Sequence, residues 1–117
     1  MSKITRFSSG TPGRSSTVVY DGLVFTVVTA DTYELDMRKQ TAEALAKLDR
    51  QLAEAGTDKS RLVSATVYIT DMALKPQMNE VWLQWVDRNH EPQRACIGAS
   101  LEEGDLIEIV AVAAVKD

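Results

Sequence analysis

Apolar positions alternate with polar ones near the start and the end of the chain, and between these regions they recur at helical spacing. A short first strand is an option at Lys3–Phe7, and Thr17–Thr29 contains two apolar runs on either side of Asp21 and Gly22. Asp-Gly between apolar runs is a strong signal for a tight hairpin turn. The segment Ser8–Ser16 is rich in serine, glycine and proline and is typical of a loop.

Two later segments have helical periodicity. From Leu35 the chain is rich in helix formers, up to Gly56, which stands where a helix-terminating glycine belongs. The apolar face of this first helix is Thr41, Leu45, Leu48, Leu52 and Ala55. A second helix is predicted from about Pro76 to Asn89, because proline suits the first turn and Pro92 ends the helix by disfavouring helical geometry before it. Its apolar stripe is Met78, Trp82, Trp85 and Val86.

Three strands are predicted beyond the first helix. They are Leu62–Thr70, Gln93–Ala99 and Asp105–Val115, and a turn at LEEGD joins the last two. In the first of these strands, one face is predicted to carry Val63, Ala65, Val67 and Ile69. The predicted order β-β-α-β-α-β-β describes one α+β domain over residues 1–117, a two-layer fold with both helices on one face of a mixed sheet.

The final strand is apolar on both of its faces. One face is Ile107, Ile109, Ala111, Ala113 and Val115, and the other is Leu106, Glu108, Val110, Val112 and Ala114. Both faces are therefore expected to be buried, whereas two helices can cover only one of them. The pattern predicts a homo-oligomer in which the second face meets another copy of the chain.

Two charged residues, Arg94 and Glu108, interrupt these apolar strands. If the last two strands are hairpin neighbours through LEEGD, both side chains face the same surface between subunits. A buried charge is unfavourable unless it is paired or bound, which leaves two interpretations open. One is an Arg94–Glu108 salt bridge that fixes the register of the oligomer. The other is an interfacial pocket in which Arg94 holds an anion and Glu108 acts on a water or a proton.

The remaining reactive side chains are weaker candidates. Cys96 shares a strand face with Arg94 but has no evident histidine partner, so the interpretation as a small hydrophobe is favoured over a nucleophile. His90 is expected to be solvated or to cap a helix end, and Asn79 to cap or to reach into the interface. The two tryptophans of the second helix are expected to pack in the core. One cysteine and one histidine do not make a closed zinc site, so no metal is predicted.

Charge and composition narrow the classes of function. The 117 residues carry a net charge of -4 with no basic run, which disfavours nucleic acid as a partner. The start, MSKITRFSSG, lacks the apolar core of a signal peptide, and the apolar runs are far shorter than the roughly 20 residues of a membrane span. We therefore expect a cytoplasmic protein with no membrane partner.

Six segments of the chain resemble the RidA (YjgF) family of small trimeric enamine/imine deaminases. They are VVYDGLVFTVVT (Val18–Thr29), QTAEALAKLDRQLAEAG (Gln40–Gly56), SRLVSATVYITDM (Ser60–Met72), MNEVWLQW (Met78–Trp85), PQRACI (Pro92–Ile97) and IEIVAVA (Ile107–Ala113). The most specific part is Pro-x-Arg-x-Cys followed by Ile-Glu-Ile in the final strand. The resemblance implies a chorismate-mutase-like homotrimer, in which the sheets pack as a central β-barrel inside a helical layer.

The resemblance also implies an activity, the hydrolysis of 2-imino acids such as 2-iminopropanoate or 2-iminobutanoate to 2-keto acids and ammonia, without a cofactor. The pocket would lie in the cleft between subunits. Arg94 matches the arginine that clamps the substrate carboxylate, and Glu108 matches the glutamate that orients the attacking water. Cys96 matches the cysteine whose backbone carbonyl lies near the substrate nitrogen, and Asn79 matches a frequent asparagine with a structural role.

Two positions depart from the family pattern. Val28 stands where deaminases usually have a glycine that lets a ligand approach the backbone, and the valine is expected to crowd it. Arg14 falls near the position of an aromatic pocket residue. The simpler interpretation leaves Arg14 on a solvated loop, whereas an Arg14 inside the cleft would add a second cation and favour a more anionic ligand.

Two other functions stay open at this point. One is a non-catalytic trimer that binds a small carboxylate or a protein partner, which the departures at Val28 and Arg14 favour somewhat. The other is the RNA cleavage or translation inhibition attributed to relatives, against which the acidic balance and the single histidine argue. The expected ligand is therefore a small 2-imino acid or another carboxylate.

Overall fold

The computed structural model describes residues 3–117, which form six strands and two helices with two short 3-10 turns. In chain order the elements are β1 (Thr5–Ser8), β2 (Ser15–Tyr20), β3 (Leu23–Thr29), α1 (Met37–Glu54), a 3-10 turn (Lys59–Arg61), β4 (Leu62–Ile69), a second 3-10 turn (Met72–Leu74), α2 (Lys75–Trp85), β5 (Gln93–Gly98) and β6 (Ile107–Ala114). The sheet order is β1-β2-β3-β6-β4-β5, and only the β4–β5 pair is parallel. This confirms the predicted α+β fold class. No helix within residues 3–117 combines the length and the apolarity that crossing a membrane requires.

The N-terminal strands follow the predicted pattern with one addition. The optional first strand exists as β1, so three strands precede α1 rather than the two of the predicted order. Asp21 and Gly22 both adopt positive φ values, 53° and 81°, as a type I′ turn requires. Tyr20 and Leu23 pair directly across this turn, which confirms the hairpin.

Helix α1 begins at Met37, after the predicted start at Leu35, and ends just before the predicted Gly56. The Asp36 carboxylate accepts a hydrogen bond from the Lys39 backbone N–H at 3.0 Å and caps the N-terminus. Gly56, at φ 84°, ends the helix and donates to the Ala53 carbonyl at 3.0 Å. The buried face contains four of the five predicted residues, and the whole set is Met37, Gln40, Thr41, Ala44, Leu45, Leu48 and Leu52. The fifth, Ala55, is the C-cap and is only partly buried.

Helix α2 is shorter than predicted. It ends at Trp85 instead of Asn89, so Pro92 is not what ends it. The competing structure is a turn at Asp87, whose carboxylate accepts from the Asn89 backbone N–H at 2.9 Å and contacts the His90 ring at 3.0 Å. Asp side chains favour such local turns over helix. The predicted apolar stripe is otherwise confirmed, since Met78, Trp82 and Val86 are buried and Trp85 packs against the core.

The predicted hairpin between the last two strands is wrong. Strand β5 pairs in parallel with β4, and β4 separates it from β6. The reason is α2, because a strand–helix–strand segment brings its second strand back parallel to the first. Strand β6 instead occupies the middle of the sheet, between β3 and β4.

The two helices cover one face of the sheet, which we name the covered face, and leave the other, the open face. The apolar residues of the covered face expose 2% of their surface or less. They are Val24, Val28, Ala65, Val67, Ile69, Ile107, Ile109, Ala111 and Ala113. The prediction that Val63 belongs to this face is wrong. A bulge between Leu62 and Ser64 turns Val63 outward, where it is 51% exposed, and Leu62 takes its place in the core.

Candidate functional site

The predicted site residues fall on both faces of the sheet. Arg94 lies beside Ala65, so its side chain shares the covered face at the β5 edge. Glu108 lies between Thr29 and Tyr68 on the open face. The two side chains therefore point to opposite sides, and within the described chain they form no ion pair. The expectation that both face one surface of a single subunit is wrong, because it depended on the hairpin.

A cleft of about 340 Å³ brings together three of the five predicted residues, Arg14, Val28 and Glu108. It opens where β2 separates from β3, and its floor is the end of β3. One wall is the loop between β1 and β2, and the opposite wall is the start of β6 with the loop before it. Arg94 and Cys96 do not line this cleft within the described chain.

The floor of the cleft is a free edge of β3. The β2–β3 ladder ends at the Thr17–Thr26 pair, and beyond it β3 has only β6 as a neighbour. Alternate residues of an antiparallel strand direct their N–H and C=O groups to opposite sides. The Val27 carbonyl points away from β6 and accepts from Gln51 Nε2 at 3.1 Å. By the same alternation Thr29 presents its backbone N–H to the cleft.

Val28 lines the cleft. Its side chain is 2% exposed and packs in the core on the covered face, beside Ile109. The crowding of a ligand by this valine stays a prediction.

Three carboxylates form one wall, those of Glu102, Asp105 and Glu108. Burial is the main cause that raises the pKa of Asp105 above its usual value, and repulsion from Glu102 adds to it, while Lys47 acts in the opposite direction. Within residues 3–117 these side chains do not form a group that could hold a metal ion. The wall can therefore repel anions and manage protons.

Gln40 holds the loop that carries this wall, a role that the sequence analysis missed. It is fully buried in α1, where its Nε2 donates to the Gly104 carbonyl at 2.9 Å and its Oε1 accepts from the Leu106 N–H at 2.8 Å. A buried amide with both ends satisfied fixes the loop relative to the helix. The available signal was a glutamine next to Thr41 on the apolar face of the helix.

The opposite wall is the loop with Arg14, and hydrogen bonds from one serine organise it. Ser9 Oγ lies 2.8 Å from the Arg14 carbonyl oxygen and 3.1 Å from that of Thr11, so its one proton is shared between them, and it accepts from the Thr11 N–H at 3.0 Å. Arg14 is exposed and yet lines the cleft, so it is a solvated loop residue that also borders the site.

Arg94 is held from the covered side by α2. Its Cζ lies 5.3 Å from the centre of the Trp82 ring, and its Nη1 is 3.7 Å from Met78 Sδ. The rings of Trp82 and Trp85 are tilted against each other with their centres 5.5 Å apart. Trp85 Nε1 donates a hydrogen bond to Asp49 Oδ2 at 2.9 Å. The guanidinium is thus fixed by stacking, while no carboxylate of the described chain neutralises it.

The remaining candidates have mainly structural surroundings. Cys96 lies beside Val67, is half-buried and packs against the core, as a small hydrophobe does. His90 is exposed and contacts Asp87. Asn79 Oδ1 is buried and accepts no hydrogen bond from the residues that the structure describes. The chemical groups therefore form two half-sites, a stacked arginine at the β5 edge and a cleft that contains Glu108.

Comparison with known proteins agrees with this geometry. The Endoribonuclease L-PSP family model matches residues 2–115. A RutC family protein of Haemophilus ducreyi is 39% identical over 104 residues, 87% of this chain and 89% of the relative. The RutC family protein YoaB of Escherichia coli is 31% identical over 102 residues, 86% of this chain and 90% of the relative. The crystal structure of a YjgF-family protein from Neisseria meningitidis has a TM-score of 0.93 at 36% identity, covering 98% of this chain and 97% of that one. The chain therefore belongs to the YjgF/RidA family.

Proposed function

We propose that this protein hydrolyses reactive 2-imino and enamino acids to 2-keto acids and ammonia, in clefts between the subunits of a homotrimer. The observation that carries the proposal is the division of the site. Arg94 carries an anion-binding group and forms no ion pair within residues 3–117, whereas Glu108 lies in a cleft on the other face of the sheet. The β5 edge of one subunit placed at the cleft of another would unite them.

The open face supports an assembly of this kind. Leu23, Phe25 and Val110 lie on it and keep 37%, 43% and 38% of their surface exposed. They are neighbours on the paired strands β3 and β6, so they form one apolar area instead of scattered contacts. Packing the open faces of three copies together would bury this area as a central β-barrel and bring edges and clefts into proximity.

The proposed reaction needs only this chain's residues and water. Arg94 would hold the substrate carboxylate through two parallel hydrogen bonds, which places the imine carbon over the cleft. Glu108 would accept a proton from the water that attacks this carbon, and would return it to the nitrogen. Glu108 would then move the proton of the new hydroxyl to the nitrogen, so that ammonia leaves as the C–N bond breaks and the carbonyl forms. The backbone carbonyl of Cys96 would accept a hydrogen bond from the substrate nitrogen.

The electrostatics of the cleft favour this reaction over RNA cleavage. Glu102, Asp105 and Glu108 line one wall, and the chain has a net charge of -4. A polyphosphate backbone would be repelled from such a wall, and binding to nucleic acid normally requires a basic surface. A small substrate with its carboxylate held by Arg94 places its neutral imine near the acids instead.

Imine turnover by matched variants tests the proposal. An amino-acid oxidase generates the imine, semicarbazide traps it, and the enzyme's effect is the loss of trapped product. We expect wild type and Arg38→Gln to accelerate the loss, since Arg38 pairs with Glu80 on the outer side of the helices. Arg94→Ala and Glu108→Gln should each lose about a hundredfold or more. A wild-type trimer without turnover would overturn the enzyme assignment in favour of a carboxylate-binding module.

Mixed assemblies test whether the site is shared. Arg94→Ala and Glu108→Gln chains are unfolded together, refolded together and compared with each variant refolded alone. If one subunit supplies Arg94 and its neighbour supplies Glu108, some clefts of the mixture contain both residues and activity returns. If activity stays at the level of the separate variants while the mixed trimer forms, the two residues act within one chain and the shared cleft is disproved.

A further inference from the structure

We propose that Arg14 forms a second anion-binding position in the cleft, and that the preferred substrates are imino acids with a second carboxylate, the 2-iminodicarboxylates. This inference rests on the proposed function and names its substrate class. Arg94 accounts for the carboxylate next to the imine, so the question is which group of a ligand Arg14 would meet.

The cations of the cleft differ in how they are neutralised. Lys47 lines the cleft, and its Nζ lies 2.5 Å from Asp31 Oδ1. Arg14 has no carboxylate within ion-pair distance among residues 3–117, although Glu102, Asp105 and Glu108 line the same cleft. Arg14 is thus the cation of this cleft that is available to a ligand.

The surroundings of Arg14 suit a carboxylate. Ser9 fixes the backbone of the loop through its bonds to the carbonyls of Thr11 and Arg14, so the base of the arginine side chain is held in place. Thr11 and Ser15, each of which carries a hydroxyl, also line the cleft. A guanidinium with neighbouring hydroxyl donors provides several hydrogen bonds to one carboxylate group.

The opposite wall determines which way such a substrate lies. Glu108 and Asp105 would repel a second carboxylate, whereas Arg14, which lines the same cleft, would attract it. The imine carbon then lies near Glu108 and the side chain of the substrate extends toward Arg14. A volume of about 340 Å³ is enough for a dicarboxylate of this size.

Substrate comparison with Arg14→Gln tests the inference. The imines of 2-oxoglutarate and 2-oxobutanoate are generated from glutamate and 2-aminobutanoate, with Arg38→Gln as the control that removes one exposed arginine elsewhere. We expect wild type to prefer the dicarboxylic imine, and Arg14→Gln to raise KM about tenfold or more for that imine alone. An equal rise for both imines would make Arg14 a clamp for the common carboxylate, and no rise would remove it from binding. Either result overturns the proposal.

Binding of the stable keto acids separates this inference from the proposed function. Calorimetry compares 2-oxoglutarate with 2-oxobutanoate on wild type and Arg14→Gln. If no imine is turned over but 2-oxoglutarate binds wild type more tightly and loses this advantage in Arg14→Gln, the enzyme proposal fails and the anion position stands. If imines are turned over but 2-oxoglutarate binds no better than 2-oxobutanoate, the enzyme stands and the dicarboxylate inference fails.

Discussion

The two faces of the sheet are made by the same strands, and yet they end in different environments. On the covered face, Val24, Ala65 and Ile109 are exposed by 1% or less because α1 and α2 lie over them. On the open face, Phe25 and Val110 keep about two fifths of their surface in contact with solvent. Both rows are apolar, so composition does not distinguish them. The covered face is completed by the chain itself, whereas the open face is the surface that the proposed assembly would bury.

The candidate site follows the same division. Arg94 is supported from the covered side by Trp82, and Glu108 lies on the open face. Each residue alone is a charged group with an incomplete environment. The predictions below separate the contributions of the two faces, beginning with the change of greatest effect.

A charge on the open face should abolish assembly. Phe25→Glu would place a carboxylate where the proposed barrel is dry, and burial of an unpaired charge is strongly unfavourable. Light scattering should report a monomer, and imine turnover should be lost with the shared cleft. Leu83→Glu makes the same change on the outward side of α2, where Leu83 is 50% exposed, and should leave the mass unchanged. A trimer of Phe25→Glu would mean that the open face is not the interface.

A cavity on the covered side should lower stability without changing assembly. Leu48→Ala removes a fully buried side chain of α1 and should reduce the free energy of unfolding by about 2–5 kcal/mol. Phe25→Ala should show the opposite pattern, with weaker association and a stability that depends on protein concentration. Urea unfolding at several protein concentrations measures both. Equal and concentration-independent losses in the two variants would show that the faces do not differ in function.

Loss of the aromatic support should affect substrate binding through Arg94. Trp82→Leu removes the ring against which the guanidinium stacks and should raise KM about tenfold, within the range of cation–π contributions. Trp82→Phe keeps an aromatic face and should retain most of the affinity. Trp85→Phe is the control, because it changes the neighbouring ring and its bond to Asp49. If Trp82→Leu lowers the melting temperature but leaves KM unchanged, Trp82 contributes to the core and not to substrate binding.

The smallest effect should come from an exposed contact that belongs to neither face. Hydrogen bonds from Lys116 and then Ser60 lower the pKa of Asp58 from 3.8 to about 2. Because the folded pKa lies below the unfolded one, this contact stabilises the fold above about pH 4, and the stabilisation is lost as the pH falls toward about 2. In Asp58→Asn the melting temperature should therefore depend less on pH between about pH 4 and about pH 2 than it does in wild type. An unchanged profile would show that the contact contributes nothing in solution.

Local patterns predicted most of the fold. The face of α1, its terminal Gly56 and the Asp21-Gly22 hairpin depend on residues close in sequence, and the structure has all three. The errors arose where distant or competing contacts decide. The Asp87 turn competes with the end of α2, and the pairing of β5 depends on how α2 crosses the sheet. The sequence already offered the rule that two strands joined by a helix usually pair in parallel. For β5 this rule, which favours β4 as its partner, outweighs the short connection to β6.

The site was predictable as a set of residues but not as an arrangement. Arg94 and Glu108 stand out because each is a charge within an apolar strand. Their placement on opposite faces depends on the pairing of β5, which no local pattern specifies. Trp82 supports Arg94, and Gln40 anchors the loop before β6, through contacts between elements that are far apart in the chain. A tryptophan or a glutamine at these positions is also compatible with ordinary packing of a helix in the core, so the sequence alone did not reveal either role.

The position of β6 has a consequence for how the protein is made. This strand joins β3 to β4, and it is synthesised after all five other strands. Until its residues leave the ribosome, the nascent chain holds two separate pieces of sheet, β1–β2–β3 and β4–β5, with apolar edges that cannot yet pair. A premature stop shortly before Ile107 would therefore be as damaging as a much earlier one, since it removes the strand that connects the two pieces. Chaperones that shield unpaired strands would be needed most before β6 is synthesised.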